Sequence, residues 1–106
     1  MVDTKIREMI NKLVNLLKAN GIKVEKTFIY GSHASGLSHD DSDVDLAIVS
    51  PDFGKDRFEE GKFLFKLAWQ IDPRLSPIPI SSEAFMKNTW VPLIHEIKQK
   101  GVEVRG

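Results

Sequence analysis

The sequence predicts one small α/β or α+β layer domain. Two observations carry that expectation: helical and strand periodicities alternate as α-β-loop-β-α-β-α, and one polar stretch, GSHASGLSHDDS at 31–42, separates the first two strands. Size bounds it further, since 106 residues, 42% hydrophobic and 28% charged, suit one ordinary domain spanning 1–106. Such a chain buries roughly two-thirds of its unfolded surface. Little room is left for a separate substrate domain, so a pocket would need a partner to complete it.

Each element has a local reason. Residues 2–20 place Ile6, Ile10, Leu13 and Leu17 at helical spacing, with Asp3 or Thr4 to cap the start and Gly21 to close the end. Residues 24–30 are β-prone and run straight into Gly31. Residues 43–50, DVDLAIVS, alternate and then become continuously apolar, as a central strand does. Residues 57–71 form a second helix, expected to bury Phe58, Phe63, Leu64, Leu67, Ala68 and Ile71. Asp72-Pro73 stops it. Gly61 weakens it by about 1 kcal/mol relative to alanine. The two prolines of LSPIPI at 75–80 favour an edge strand. Ser81-Ser82-Glu83 caps a short helical turn, 91–100 is a third helix with Leu93, Ile94 and Ile97 inside, Gly101 stops it, and 102–104 is a brief last strand.

Composition excludes several function classes. Fifteen basic and fifteen acidic residues cancel, which gives no general attraction to nucleic acid or anionic membranes. Without cysteine there are no disulfides, thiolate metal sites or thiol nucleophiles. No apolar run approaches a membrane span or a signal peptide, so the expectation is a cytoplasmic protein.

The chemistry concentrates at 31–46. Gly31-Ser32 follows a strand directly, a placement that aims backbone N–H groups at phosphate oxygens. Gly31 would admit a phosphate without a Cβ in the way, and Ser32 would add a hydroxyl. Asp43 and Asp45, at i and i+2 of a strand, share one face with Val44 opposite. Two adjacent carboxylates repel, and a fold keeps them together most readily when a cation offsets the repulsion. Mg²⁺ suits such a pair, because it takes a few carboxylate oxygens and leaves positions for water and phosphates. An isolated Asp-x-Asp is more often solvated. Eleven residues beyond Ser32, across a hairpin-sized connection, the pair instead faces the phosphate loop.

The run Gly31-Ser32-His33-Ala34-Ser35-Gly36 followed by Ser42-Asp43-Val44-Asp45-Leu46 resembles the GSxxxG…SDxDL signature of the minimal nucleotidyltransferases in the DNA polymerase β-like superfamily. The resemblance covers nearly the whole chain and implies a mixed sheet flanked by helices. It also implies a nucleoside triphosphate, ATP or another, on Gly31, Ser32 and Ser42, with Mg²⁺ or Mn²⁺ on Asp43 and Asp45. The implied reaction transfers a nucleoside monophosphate, AMP in the expected case, to a hydroxyl with release of pyrophosphate. Members of the family often pair with a helical HEPN-type protein as antitoxin and toxin, and some adenylylate a tyrosine of that toxin. Self-association is left open.

One position departs from the pattern. The family's third carboxylate comes from a later strand, which by chain order is 75–80, and its slot falls on Ser76. Asp72 and Glu83 flank that strand, but each has a competing local role, at a helix stop and in a helix's first turn. Two readings therefore stand side by side: a working transferase, or a catalytically impaired nucleotide-binding module that acts by contact with a helical partner. His33 and His39 read as solvated loop residues, His95 has no partner at useful spacing, and Trp69 and Trp90 read as core or interface aromatics.

Overall fold

The computed structural model describes residues 4–31, 43–87 and 91–104. The opening helix, α1 (Thr4–Ala19), buries Ile6, Ile10, Leu13 and Leu17 along one stripe. Its end is closed by two backbone bonds: Ile22 N–H donates to Leu17 O and Gly21 N–H to Lys18 O, both at 3.0 Å. Gly21 has φ +82°, the left-handed conformation this closure requires.

Strand β1 (Lys26–Tyr30) pairs antiparallel with β2 (Val44–Ser50). Strand β3 (Leu75–Ser81) joins β2 in parallel, and the two-residue β4 (Val102–Glu103) pairs antiparallel with β1, giving the mixed order β3-β2-β1-β4. The apolar run of β2 is thus explained by its central position, with Val44, Leu46, Ala47, Ile48 and Val49 all buried. Parallel pairing requires a crossover, supplied by α2 (Arg57–Ile71). Asp56 caps α2 by accepting from Glu59 N–H at 3.1 Å. The Glu60 carboxylate returns to the N–H groups of Gly54, Lys55 and Asp56.

The alternation of strand residues builds two cores. On one face Ile29, Val44, Leu46, Ile48 and Leu75 meet α1 and α2. On the other, Phe28, Ala47, Val49 and Ile80 meet Phe85 of α3 (Ser82–Met86) and Ile94 and Ile97 of α4 (Pro92–Lys100). The prolines of β3 fall where an edge tolerates them. Val44 N–H donates to Arg74 O at 2.7 Å, so residues of Arg74's parity turn their backbone groups toward β2. Pro77 and Pro79 have the opposite parity and face outward, where a missing N–H breaks no ladder bond.

One expectation fails. Phe58 is not part of the buried stripe of α2; it is 73% exposed. At 3.6 residues per turn, Phe58 lies about 120° around the helix from Leu64, away from the line of Leu64, Leu67 and Ala68 that meets the sheet. Strand bounds also shorten, with β1 starting at Lys26 and β2 at Val44. The packing makes a direct prediction. Leu46→Ala, fully buried on the central strand, should cost about 2–5 kcal/mol in urea denaturation. Phe58→Ala should stay within about 1 kcal/mol of wild type.

Candidate functional site

The register of the sheet assembles the site. Tyr30 on β1 pairs with Asp45 on β2, and Asp45 pairs with Ser76 on β3. Because cross-strand partners share a face, Tyr30, Asp45 and Ser76 form a row across three strands at one end of the sheet. Val44 points to the opposite face and is wholly buried, which fixes the direction of its neighbours. Asp43 precedes β2 and is exposed, while Asp45 is partly buried. The bond from Val44 N–H to Arg74 O ties this end of β2 to the start of β3 and holds the two aspartates on a rigid base.

Gly31 comes immediately after Tyr30, at φ +75°. A Cβ placed there would stand 2.7 Å from Asp45 Oδ2 and 3.6 Å from its Cγ. The left-handed backbone favours glycine, and any side chain there would also have to displace the end of the Asp45 carboxylate. Of the other sequence-derived site residues, Ser32 and Ser42 lie outside the described residues, as do His33, His39 and Trp90. Trp69 is exposed on α2.

Ser76 stands directly beside Asp45, where the strand order placed it. Asp72 is taken by Arg74. Its Oδ1 and Oδ2 accept from Arg74 Nε and Nη2, each at 3.2 Å, and Oδ1 also accepts from Arg74 N–H at 2.8 Å. These bonds hold the Asp72 carboxyl below the usual range. Glu83 pairs with Lys87 at 2.8 Å on exposed α3, and that hydrogen bond lowers its carboxyl likewise. Among the described residues no group of three or more His, Cys, Asp or Glu side chains could hold a metal.

Sequence reasoning missed Tyr30 and Glu96. A tyrosine ending a β-prone run reads as core, and Glu96 reads as the solvated face of α4. Only the tertiary structure relates them. Burial pushes the Tyr30 phenol above its ordinary value, and the negative charges of Asp45 and Glu96 push it further. Tyr30 therefore presents a neutral O–H donor next to the carboxylates at physiological pH. Its position just before the Gly31-Ser32 turn was the one signal that could have marked it.

The Polymerase beta, Nucleotidyltransferase family model matches residues 11–104. The chain belongs to that family. It is 29% identical over 72 residues to a protein adenylyltransferase, MntA, of Shewanella oneidensis, covering 68% of this chain and 51% of that protein. The chain thus spans about half the length of this curated relative. A toxin–antitoxin crystal structure with AMP-PNP superposes with a TM-score of 0.60 at 26% identity, covering 91% of this chain and 72% of the other. An MNT antitoxin in complex with a tri-AMPylated HEPN toxin, also from Shewanella oneidensis, shares the fold. It gives a TM-score of 0.56 at 21% identity, covering 96% and 71%. The four-stranded mixed sheet with flanking helices is the nucleotidyltransferase fold that the motif implies.

Tyr30 is the one tyrosine in the chain, so phenolate absorbance reports on it alone. Its titration midpoint should lie above the ordinary value of about 10. Asp45→Asn should lower that midpoint by removing a negative neighbour, and Glu96→Gln should lower it by less, in the order of their influence. An unchanged midpoint in Asp45→Asn would show that the two side chains are not adjacent.

Proposed function

We propose that this chain transfers a nucleoside monophosphate, AMP from ATP, to a hydroxyl of a partner protein in a Mg²⁺- or Mn²⁺-dependent reaction. The observation that carries the proposal is the Gly31–Asp45 contact. It sets the glycine that opens the candidate triphosphate loop beside the carboxylate that would hold the metal. Support also comes from the names of its relatives, one a protein adenylyltransferase and another an AMP-PNP-bound toxin–antitoxin pair. The partner we infer is a helical HEPN-like toxin, as in the AMPylated complex, and the chain would act as its antitoxin. No described helix is long and apolar enough to cross a membrane, and a cytoplasmic setting suits this role.

The donor set fits a hard divalent cation. Asp43 and Asp45 offer carboxylate oxygens on one face, with the Ser76 hydroxyl beside them and solvent access at Asp43. When bound there, the ion would neutralise charge on the triphosphate. The chain's own contribution is positioning. Gly31 gives the turn its left-handed shape, Ser32 and Ser42 would donate to phosphate oxygens, and the neutral Tyr30 hydroxyl supplies a further donor on the Asp45 side. In the transfer, the acceptor oxygen bonds to the α-phosphorus as the bond to the bridging oxygen breaks, pyrophosphate leaves, and the acceptor proton passes to a carboxylate or water. Phosphoryl-type transfer depends chiefly on such alignment and charge stabilisation.

A second reading rests on Ser76. A neutral hydroxyl beside Asp45 is a poor metal ligand and cannot act as a base at neutral pH. The alternative is a nucleotide-binding antitoxin that restrains its partner by contact, with transfer impaired.

Labelled ATP with a co-purified helical partner separates the two. Wild type should transfer label, and Asp43→Asn with Asp45→Asn should reduce transfer by about a hundredfold or more, the scale expected for removing charge stabilisation at a reacting centre. Equal labelling by wild type and variant would overturn the transferase reading. A Mg²⁺-dependent stabilisation by ATP without transfer, converted to transfer by Ser76→Asp, would establish the contact-only module.

A further inference from the structure

The outer face of α2 carries an aromatic line that the fold does not use. Phe58, Phe65 and Trp69 are 73%, 47% and 64% exposed. With Lys62 they fall at i, i+4, i+7 and i+11, which places all four along one line of a helix. The core-facing residues Leu64, Leu67 and Ala68 lie on the other side. The line is about 16 Å long at 1.5 Å per residue. Scattered exposed apolar residues need no explanation, but three large aromatics in register form a contiguous patch.

Its surroundings specify an occupant. Lys62 reaches over the Phe58 ring at 5.3 Å, and Lys66 follows one turn on, so one flank of the line is basic. Glu59 meets Lys62 only at 3.8 Å between two well-exposed side chains, a pairing that water screens. On the other flank stands Gly61, where an added Cβ would meet nothing within 4 Å. No packing in the fold demands that glycine despite its cost to the helix, and its missing side chain lets another backbone approach closely. A second copy of this chain is disfavoured. Lys62 and Lys66 straddle the middle of the line, so a two-fold pairing would oppose lysines to lysines.

The line also has a direction. Because β2 and β3 are parallel with Val44 beside Leu75, α2 must return from the Ser50 end of the sheet to the Asp43 end. Trp69 therefore lies at the carboxylate end, one turn before Asp72, and Phe58 at the far end.

We infer that the Phe58–Phe65–Trp69 face of α2 is a docking rail for an amphipathic helix of a partner protein, apolar on its contact stripe and acidic along the edge that meets Lys62 and Lys66. The inference rests on the proposed transfer to a macromolecular acceptor and adds to it. A helix lying on the rail runs toward the end of the sheet where Asp43 and Asp45 stand, while α2 itself packs on the Val44 face opposite the Asp45 row.

The probe is a stapled helical peptide of about three turns with a leucine stripe flanked by glutamates, compared by calorimetry with its lysine-flanked counterpart. The glutamate form should bind at least about tenfold more tightly at low salt. Phe65→Ser with Trp69→Ser, both at exposed positions, should weaken it by about tenfold or more. Lys62→Glu with Lys66→Glu should reverse the preference between the peptides. Equal binding of both peptides, or binding unaffected by these changes, would overturn the inference. So would concentration-dependent dimerisation abolished by Trp69→Ser. Thermal stabilisation by Mg²⁺ and ATP should be unchanged in the Phe65→Ser, Trp69→Ser variant. Absence of that stabilisation in wild type would count against the proposed function while leaving the peptide result to stand by itself.

Discussion

The arrangement of this molecule turns on the contact between Gly31 and the carboxylate of Asp45. Where β1 ends, the chain must turn in a left-handed conformation, and the space beside that turn is filled by Asp45 Oδ2 at a distance no Cβ could share. This fixes where the polar loop departs relative to the central strand. It also couples two features that were separable in sequence, a glycine-serine turn and a carboxylate pair. The sequence suggested that Gly31 leaves room for a phosphate. In the fold, a side chain at Gly31 would also meet the Asp45 carboxylate, so the first residue of the polar stretch and that carboxylate lie side by side.

The sheet supplies the rigidity that this contact needs. β2 is covered on both faces and paired on both sides, so its end cannot shift without disturbing two cores. Asp43 and Asp45 stand at that end, with their apolar continuation buried behind them. The neighbours of Asp45 then follow from register alone: Tyr30 on one side and Ser76 on the other. Tyr30 is held neutral by burial and by the surrounding negative charge, and Ser76 is neutral by nature. In the described part of the candidate site, the carboxylates of Asp43 and Asp45 therefore stand beside neutral hydroxyls.

Much of the fold was legible because its signals were local. The helical spacing of Ile6, Ile10, Leu13 and Leu17, the glycine after it, the apolar run of β2, and the proline pair of β3 each state their role within a few residues. Phe58 was misjudged for the same local reason. A large aromatic near a helix start looks like core, and only the angle set by Leu64 and Leu67 turns it to solvent. Of the candidate site, the spacing anticipated that the glycine turn and the aspartate strand meet at neighbouring strand ends, and Gly31 does lie beside Asp45. Strand order along the chain pointed to Ser76, and the parallel register places it beside Asp45.

By itself, the sequence determined the element types, the pairing of a Gly-Ser turn with an Asp-x-Asp strand, and membership in a nucleotidyltransferase family, all of which depend on residue identity at short range. The tertiary structure decided the rest, because it depends on partners distant in the chain. Asp45 touches Gly31 through the β1–β2 register. Asp72 and Glu83 are drawn off to Arg74 and Lys87. Tyr30 and Glu96 are brought toward the carboxylates from a strand and a helix that share no motif. The aromatic line of α2 became visible as a surface only once the direction of the core was known, since a helix of mixed aromatics and aliphatics does not announce which of its apolar sides the sheet will cover.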